Sequence, residues 1–299
     1  MHVLLSGASG FVGKNLAHKL IENNFKLTLI TRKSSQIDRF LKDRCTILTY
    51  EKDTPEEILK RLKTDDPPSI IIHLAAQFKS DHNLKEITNL IQSNIILGAQ
   101  LAEIGKILGV KKFINTTTYS TSISGEDFDP QNFYAVTKKS FEDILFFYSL
   151  EKNFQVFNLT LYDTYGPGDN RLKFINLILD AAKNKEILNM SPGEQEISYI
   201  YIDDVIQGIL DTIRLETNSF WNNFSLHSNE HYTLNKLVKI VEKSIGTTIA
   251  TNPGYYSYRA REIMKFKPRH SLIPGFEAKT TIAEGIKQII EKGCNYEQS

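Results

Sequence analysis

The chain has 299 residues, of which 41% are hydrophobic and 24% charged, and a formal net charge of +1, the balance of a globular protein with a large core in one two-lobed domain or two small ones. Near-neutral charge without a long basic block gives no reason to expect nucleic acid or an anionic membrane as a partner. The longest apolar run, Ile70 to Ala76, is too short to span a bilayer, and Cys45 and Cys294 lack metal-ligand spacing, so the expectation is a reduced, cytoplasmic protein with no metal and no structural disulfide.

The first residues read as a strand, His2-Val3-Leu4-Leu5-Ser6, and not as a signal peptide. The turn Gly7-Ala8-Ser9-Gly10-Phe11-Val12-Gly13 follows, and then an amphipathic helix from Phe11 to Glu22. Glycine lets a backbone turn sharply and approach a ligand without a Cβ in the way. A helix N-terminus behind such a turn offers unpaired N–H groups and partial positive charge, which suits a pyrophosphate. Strands are expected next at Lys26–Thr31, at 45–50 and at 69–76, with a helix at 55–63 between the last two. The unbroken apolar character of the 69–76 run is that of a parallel strand buried on both faces.

A long helix is expected over Leu84 to Leu108. Ile87, Leu90, Ile91, Ile95, Gly98 and Leu101 recur on one face, and Asn94 falls among them. A buried amide needs partners, so Asn94 either satisfies nearby backbone or holds part of a site. Strands follow at 111–116 and 156–161. The alternation of strands and helices implies right-handed crossovers and a doubly wound parallel sheet of the Rossmann type. The expected dinucleotide-binding domain is 1–163, with 200–222 returning to it, and 164–299 forms mainly a smaller C-terminal substrate-binding lobe.

Tyr134 and Lys138 are one turn apart on a helix soon after the fifth strand. A free phenol has a pKa of about 10, too high for easy proton exchange at neutral pH. A nearby ammonium favours the phenolate and makes the tyrosine a usable general acid or base. Upstream, Asn115-Thr116-Thr117-Thr118 places hydroxyls at the carboxyl edge of the sheet, where ligands of open α/β sheets bind. The strand at 26–31 leads into Thr31-Arg32-Lys33-Ser34-Ser35. An acidic residue there would repel a ribose 2′-phosphate, whereas Arg binds one, so NADPH is expected over NADH, with NAD(H) the alternative.

The glycine turn, His73-Leu74-Ala75-Ala76, Asn94, the threonine cluster, Tyr134/Lys138 and Tyr165-Gly166-Pro167-Gly168 together resemble the extended short-chain dehydrogenase/reductases, the NAD-dependent epimerase/dehydratases. Asp203-Asp204-Val205 and Arg259-Ala260-Arg261-Glu262 extend the resemblance over nearly the whole chain. Within that family the chain looks most like nucleotide-sugar 4-ketoreductases of deoxysugar and polysaccharide (O-antigen) biosynthesis. The resemblance implies that Tyr134 is the proton donor, that Lys138 holds the nicotinamide ribose and that Thr118 binds the substrate oxygen. It implies a cofactor site of Gly7, Ser9, Gly10, Phe11, Val12, Gly13, Thr31, Arg32, Lys33, Leu74, Ala75, Ala76, Asn94 and Thr116 with Tyr134 and Lys138. Gln77, Thr118, Tyr134, Asp163, Lys173 and Arg259 are implied on the substrate side. It also implies a homodimer through the helices around 84–108 and 133–150.

The departures from the family pattern are informative. Asp163 stands where relatives often have Asn, and a carboxylate near a diphosphate is unfavourable unless paired. Ile197 stands where many have an Arg, leaving Arg259, Lys173 or Arg171 to supply charge. Family dehydratases place an Asp-Glu pair directly after the catalytic Thr, whereas here Tyr119 and Ser120 follow, which implies no dehydratase activity. The alternatives to a reductase are a 4-epimerase using bound NAD and a non-catalytic dinucleotide sensor.

Overall fold

The computed structural model describes residues 1–125 and 128–294. The side chain of Cys294 lies outside the described residues. Seven parallel strands form one sheet. β1 (His2–Ser6), β2 (Lys26–Thr31), β3 (Thr46–Thr49), β4 (Ile70–His73), β5 (Lys112–Thr118), β6 (Gln155–Leu161) and a strand at Trp221–Leu226 lie in the order β3-β2-β1-β4-β5-β6 with Trp221–Leu226 at the far edge. Chain order reverses between β1 and β4, the switch point at which open α/β sheets bind ligands.

Helices cover both faces. α1 (Phe11–Glu22) lies on one, while α3 (Pro55–Leu62), α5 (Leu97–Leu108) and α6 (Phe133–Leu150) cover the other; α2 (Arg39–Lys42) is a short turn between β2 and β3. Each strand therefore contributes alternate residues to two cores, as with Val3 and Leu5 on the α1 side and Leu4 on the other. Local chemistry sets the helix starts. Thr54 and Glu57 close a capping box around Pro55, and Asn83 and Glu86 do the same for α4 (Leu84–Ile91). Asn132 caps α6 by accepting from the Ala135 amide at 2.9 Å, which puts Tyr134 in the first turn.

The expected 84–108 helix is continuous in direction but not in winding. Between α4 and α5 the segment Gln92–Ile96 widens into a π turn with Asn94 at its centre. π turns inside helices are found mostly where a side chain has a special task. Farther along, Gly98 lets the Phe141 ring of α6 in, since a Cβ there would lie 2.5 Å from it. Strand ends shift from expectation in two informative places. β4 stops at His73, leaving Leu74 to Ala76 as loop, and β5 runs on to Thr118.

After β6 the chain leaves the sheet at its carboxyl edge. Asp163–Tyr165 pairs in parallel with Tyr199–Tyr201, and Glu196–Ile197 pairs antiparallel with Tyr232–Thr233. Helices at Phe174–Asn184 and Leu234–Ile245 fill this smaller lobe. From residue 200 the chain comes back to the seven-stranded sheet. The helix Ile202–Arg214 packs beside α1, and the following strand completes the sheet as far as Leu226. Among the described residues, no helix is long and apolar enough to cross a membrane.

Candidate active site

The glycine turn is shaped by contacts that forbid side chains. Gly7 has φ +84° and lies against the Ala75 backbone, where a Cβ would come within 2.6 Å. A Cβ on Gly13 would lie 2.1 Å from the Gly7 carbonyl oxygen. Gly10 differs, because the nearest neighbour of its Cβ would be the Gly7 oxygen at 3.4 Å. Gly7 and Gly13 therefore serve packing, and Gly10 leaves open room above the N-terminus of α1. A cleft opens there, lined by Gly7, Ser9, Gly10, Thr31, Arg32, Leu74, Ala75 and Ala76, as well as Ile30, Ser35, Tyr50, Ser93 and Leu97.

Ser35 and Tyr50 were not singled out by the sequence. Ser35 belongs to the hydroxyl-rich stretch after β2, and its Oγ accepts from the Arg32 amide at 3.2 Å and lies 3.4 Å from the Ser9 hydroxyl. Tyr50 comes directly after β3; burial raises its phenol pKa and the nearby Arg32 lowers it. The Lys33 amide donates to Glu51 at 2.7 Å, and Arg32 is the cation lining the cleft.

Tyr134 is half-buried, and burial pushes its phenol up to about 12. One turn later Lys138 is only 1% exposed, and its Nζ has no hydrogen-bond partner. Burial pulls this amine down to about 8, against the opposing influence of Glu142. A buried, unpartnered amine is costly unless a ligand completes it. Thr118, at the end of β5, is 8% exposed and shares a 2.9 Å hydrogen bond with the Ser120 hydroxyl.

Asn94 is fully buried in the π turn. Its Oδ1 accepts from the Gln77 amide at 2.7 Å, and its Nδ2 donates to the Gln77 carbonyl and to the Thr137 hydroxyl, both at 3.0 Å. Thr137 in turn donates to the Tyr134 carbonyl at 2.7 Å. Asn94 thus satisfies the Gln77 backbone and ties the loop after β4 to the helix that carries Tyr134. Thr116 is similarly engaged, donating to the His73 carbonyl at 3.3 Å. His73 is fully buried, and its Nδ1 meets the Ser6 hydroxyl at 2.7 Å.

On the other side of Tyr134 the groups are charged and paired. The Phe78 ring meets Tyr134 edge-on at 5.1 Å, and Lys173 Nζ lies 5.9 Å from the Phe78 centroid. Lys173 is ion-paired to Asp163, which also accepts from the Tyr119 hydroxyl at 2.7 Å. The unfavourable carboxylate of the sequence reading is therefore compensated. Burial, with Asp163 adding to it, raises the Tyr119 phenol well above its ordinary range. Arg171 is engaged elsewhere. It holds Asp169 and Thr164 and lies 4.6 Å over the Phe11 ring, so it braces the Gly166–Asp169 loop against the glycine turn. Arg259 is exposed, and among the described residues its guanidinium makes no ion pair. Arg261 beside it donates to the Pro130 carbonyl and pairs with Asp129, just ahead of α6.

A cleft thus lies at the switch point of the sheet, and α6, which carries Tyr134 and the buried Lys138, is tied through Thr137 and Asn94 to the loop after β4. A family model for the NAD dependent epimerase/dehydratase family matches residues 3–220. The chain belongs to that family. Among its relatives is CDP-abequose synthase of Yersinia pseudotuberculosis, 29% identical over 298 residues that cover 98% of this chain and 100% of the relative. CDP-abequose synthase of Salmonella typhimurium is 26% identical, covering 96% of this chain and 98% of that protein. Among solved structures, MoeE5 in complex with UDP-glucuronic acid and NAD superposes with a TM-score of 0.83 at 20% identity, covering 99% and 100% of the two chains. UDP-glucose 4-epimerase of Thermotoga maritima, solved with UDP-glucose, also gives 0.83, at 24% identity and the same coverage. As a member of this family, the chain is expected to use a nicotinamide dinucleotide, and its residues fit one. Gly10 leaves room at a helix N-terminus, and the Lys138 amine lacks a partner that ribose hydroxyls would supply.

Proposed function

We propose that this protein reduces the C4 keto group of a nucleotide-linked 4-keto-6-deoxyhexose, with NADPH preferred, as a cytoplasmic step of deoxysugar and polysaccharide biosynthesis. The observation that carries the reading is the buried, unpartnered Lys138 amine one turn beyond Tyr134 on α6. Full-length likeness to CDP-abequose synthases supports the sugar-nucleotide substrate. A reduced nicotinamide, when bound, supplies the hydride. Tyr134 then gives its phenolic proton to the substrate oxygen, while the Lys138 ammonium stabilises the phenolate left behind. Thr118 holds the same oxygen by a hydrogen bond. Leu74, Ala75 and Ala76 bear on the nucleoside, and Arg32 with the Ser9 and Ser35 hydroxyls receives a 2′-phosphate. On the substrate side Lys173, held by Asp163, faces the sugar nucleotide, and Arg259 closes on its diphosphate.

Dehydration at C5 and C6 is not part of this reading, because Tyr119 donates its proton to Asp163 and is a weak acid there. A 4-epimerase is the second reading, favoured by the fold of the Thermotoga maritima enzyme. A dinucleotide sensor would need neither Tyr134 nor Lys138. The deciding experiment is turnover of a panel of nucleotide 4-keto sugars with NADPH and with NADH. Reduction that consumes stoichiometric NADPH supports the proposal. Co-purified NAD with 4-epimerisation and no added reductant replaces it by the second reading. Exposed Ile107, Phe146, Phe147 and Leu150 on α5 and α6 support a homodimer through these helices. A dimeric mass by light scattering tests it.

A further inference from the structure

The face of α6 that carries Tyr134 and Lys138 continues one turn further to Glu142. Glu142 is 6% exposed, a rare position for a carboxylate without partners. It accepts a hydrogen bond from the Thr117 hydroxyl, one residue before Thr118 on β5. The charged groups near it are Lys138 and Lys139 on its own helix and Arg269 from the second lobe; Lys139 is itself paired with Asp143. Across from Lys138, the sheet presents His73, whose imidazole burial, aided by the charge of Lys138, pushes down to about 3. Lys138 therefore has a neutral phenol one turn before it, a neutral imidazole across from it and a carboxylate one turn after it. Its Nζ makes no hydrogen bond, so the carboxylate acts on it through space and not by contact.

We propose that Glu142, moored by Thr117, is a positioning residue that keeps Lys138 cationic inside the fold and so keeps Tyr134 able to release its proton. The inference rests on the roles given to Tyr134 and Lys138 above. Its physical basis is a competition. Desolvation favours the neutral amine, and an opposite charge nearby favours the ammonium. Burial alone draws Lys138 towards neutrality, and Glu142 is the influence that raises it. Burial raises the Glu142 carboxyl as well, while the Thr117 hydrogen bond and the three cations draw it back towards the ionised form. Thr117 is thereby given a task distinct from that of its neighbour Thr118. A lysine that lost its charge would leave the phenolate formed at Tyr134 unstabilised.

The test is a pH titration of Lys138 in the cofactor-free protein, read by NMR of lysine labelled with ¹³C at Cε. The Lys138 signal is identified by its loss in Lys138→Met. Glu142→Gln removes the charge and retains an oxygen for Thr117. Its expected effect is a fall of the Lys138 midpoint by about one pH unit or more. The alkaline limb of kcat/KM for NADPH is expected to move down with it, and Glu142→Asp to recover most of the shift. Should the Gln variant fail to fold, Thr117→Val/Glu142→Leu replaces the pair by apolar groups, which proteins often tolerate, with the same fall expected. An unchanged midpoint in a folded charge-removing variant overturns the proposal, even if the reductase reading holds. A lowered midpoint supports it even if the substrate turns out to be another sugar.

Discussion

The two sides of Tyr134 are built on opposite principles. The side proposed for the cofactor is mostly backbone, with glycines packed against main chain and a lysine whose amine has no partner. The substrate side is made of side chains that already satisfy one another, with Asp163 held by both Lys173 and Tyr119 and Arg171 anchored to Asp169 and Thr164. A ligand entering the first side completes bonds, whereas one entering the second must compete for them or borrow them. The first arrangement suits a cofactor that is the same in every turnover. The second suits selection among related sugars, because a pair can be retuned by changing either member.

Variants can break this contrast, and the largest effect is expected at the boundary. Tyr134→Phe is expected to lower kcat by about 10²–10⁴-fold, the range of general acid catalysis, with cofactor affinity nearly unchanged. Thr118→Ala removes only a hydrogen bond and is expected to cost less. Saturating kinetics with a separate NADPH titration checks both.

On the side proposed for the cofactor, Gly10→Ala puts a Cβ in ordinary contact with the Gly7 oxygen, at 3.4 Å, without a clash. The melting temperature should stay close to that of the parent while NADPH Kd rises about tenfold or more, the equivalent of one charge-assisted hydrogen bond. A variant that loses stability instead would show Gly10 to be a packing glycine like Gly13.

Across Tyr134 the signature should reverse. Asp163→Ala and Lys173→Met are expected to couple by about 0.5–3 kcal/mol in a double-mutant cycle on stability. Additive single effects would mean that the ion pair does not organise this side. The smallest expected effect is at the rim of the cleft. Arg32→Ala should reduce the preference for NADPH over NADH by up to about tenfold, since an exposed cation is partly screened. An unchanged ratio of kcat/KM values would remove Arg32 from cofactor selection.

How far the sequence could be read follows the same division. Strands buried on both faces announce themselves by composition, and β2 was expected with the bounds it has. Turn glycines and the Tyr134/Lys138 spacing are local signals, and the turn and the helix lie where those signals put them. Pairing of Asp163 with Lys173 spans only ten residues, yet it depends on how the chain turns beyond Tyr165, which no periodicity encodes. Tyr119 was read only as a poor acid; its partner lies 44 positions away. Arg171, one of three cations that could supply charge, is likewise engaged by groups that no periodicity brings to it, Asp169 and the Phe11 ring. Asn94 shows a mixed case. Its burial followed from helical spacing, but the π turn around it has no sequence signal of its own.

That π turn gives the 84–108 segment a history. A π turn holds one residue more than an α turn, so it is equivalent to a single-residue insertion in an otherwise regular helix. Deleting one residue between Gln92 and Ile96 would close the wide turn into an unbroken α-helix and leave α4 and α5 nearly in register, at the cost of the widened turn around Asn94. Asn94 would then leave Gln77 and Thr137, while Leu90 kept its place in the interior. This stretch therefore tolerates substitution on its outer face but is closed to changes in length, and among sequences descended from a common ancestor the spacing from Leu90 to Gly98 should vary less than the residues within it.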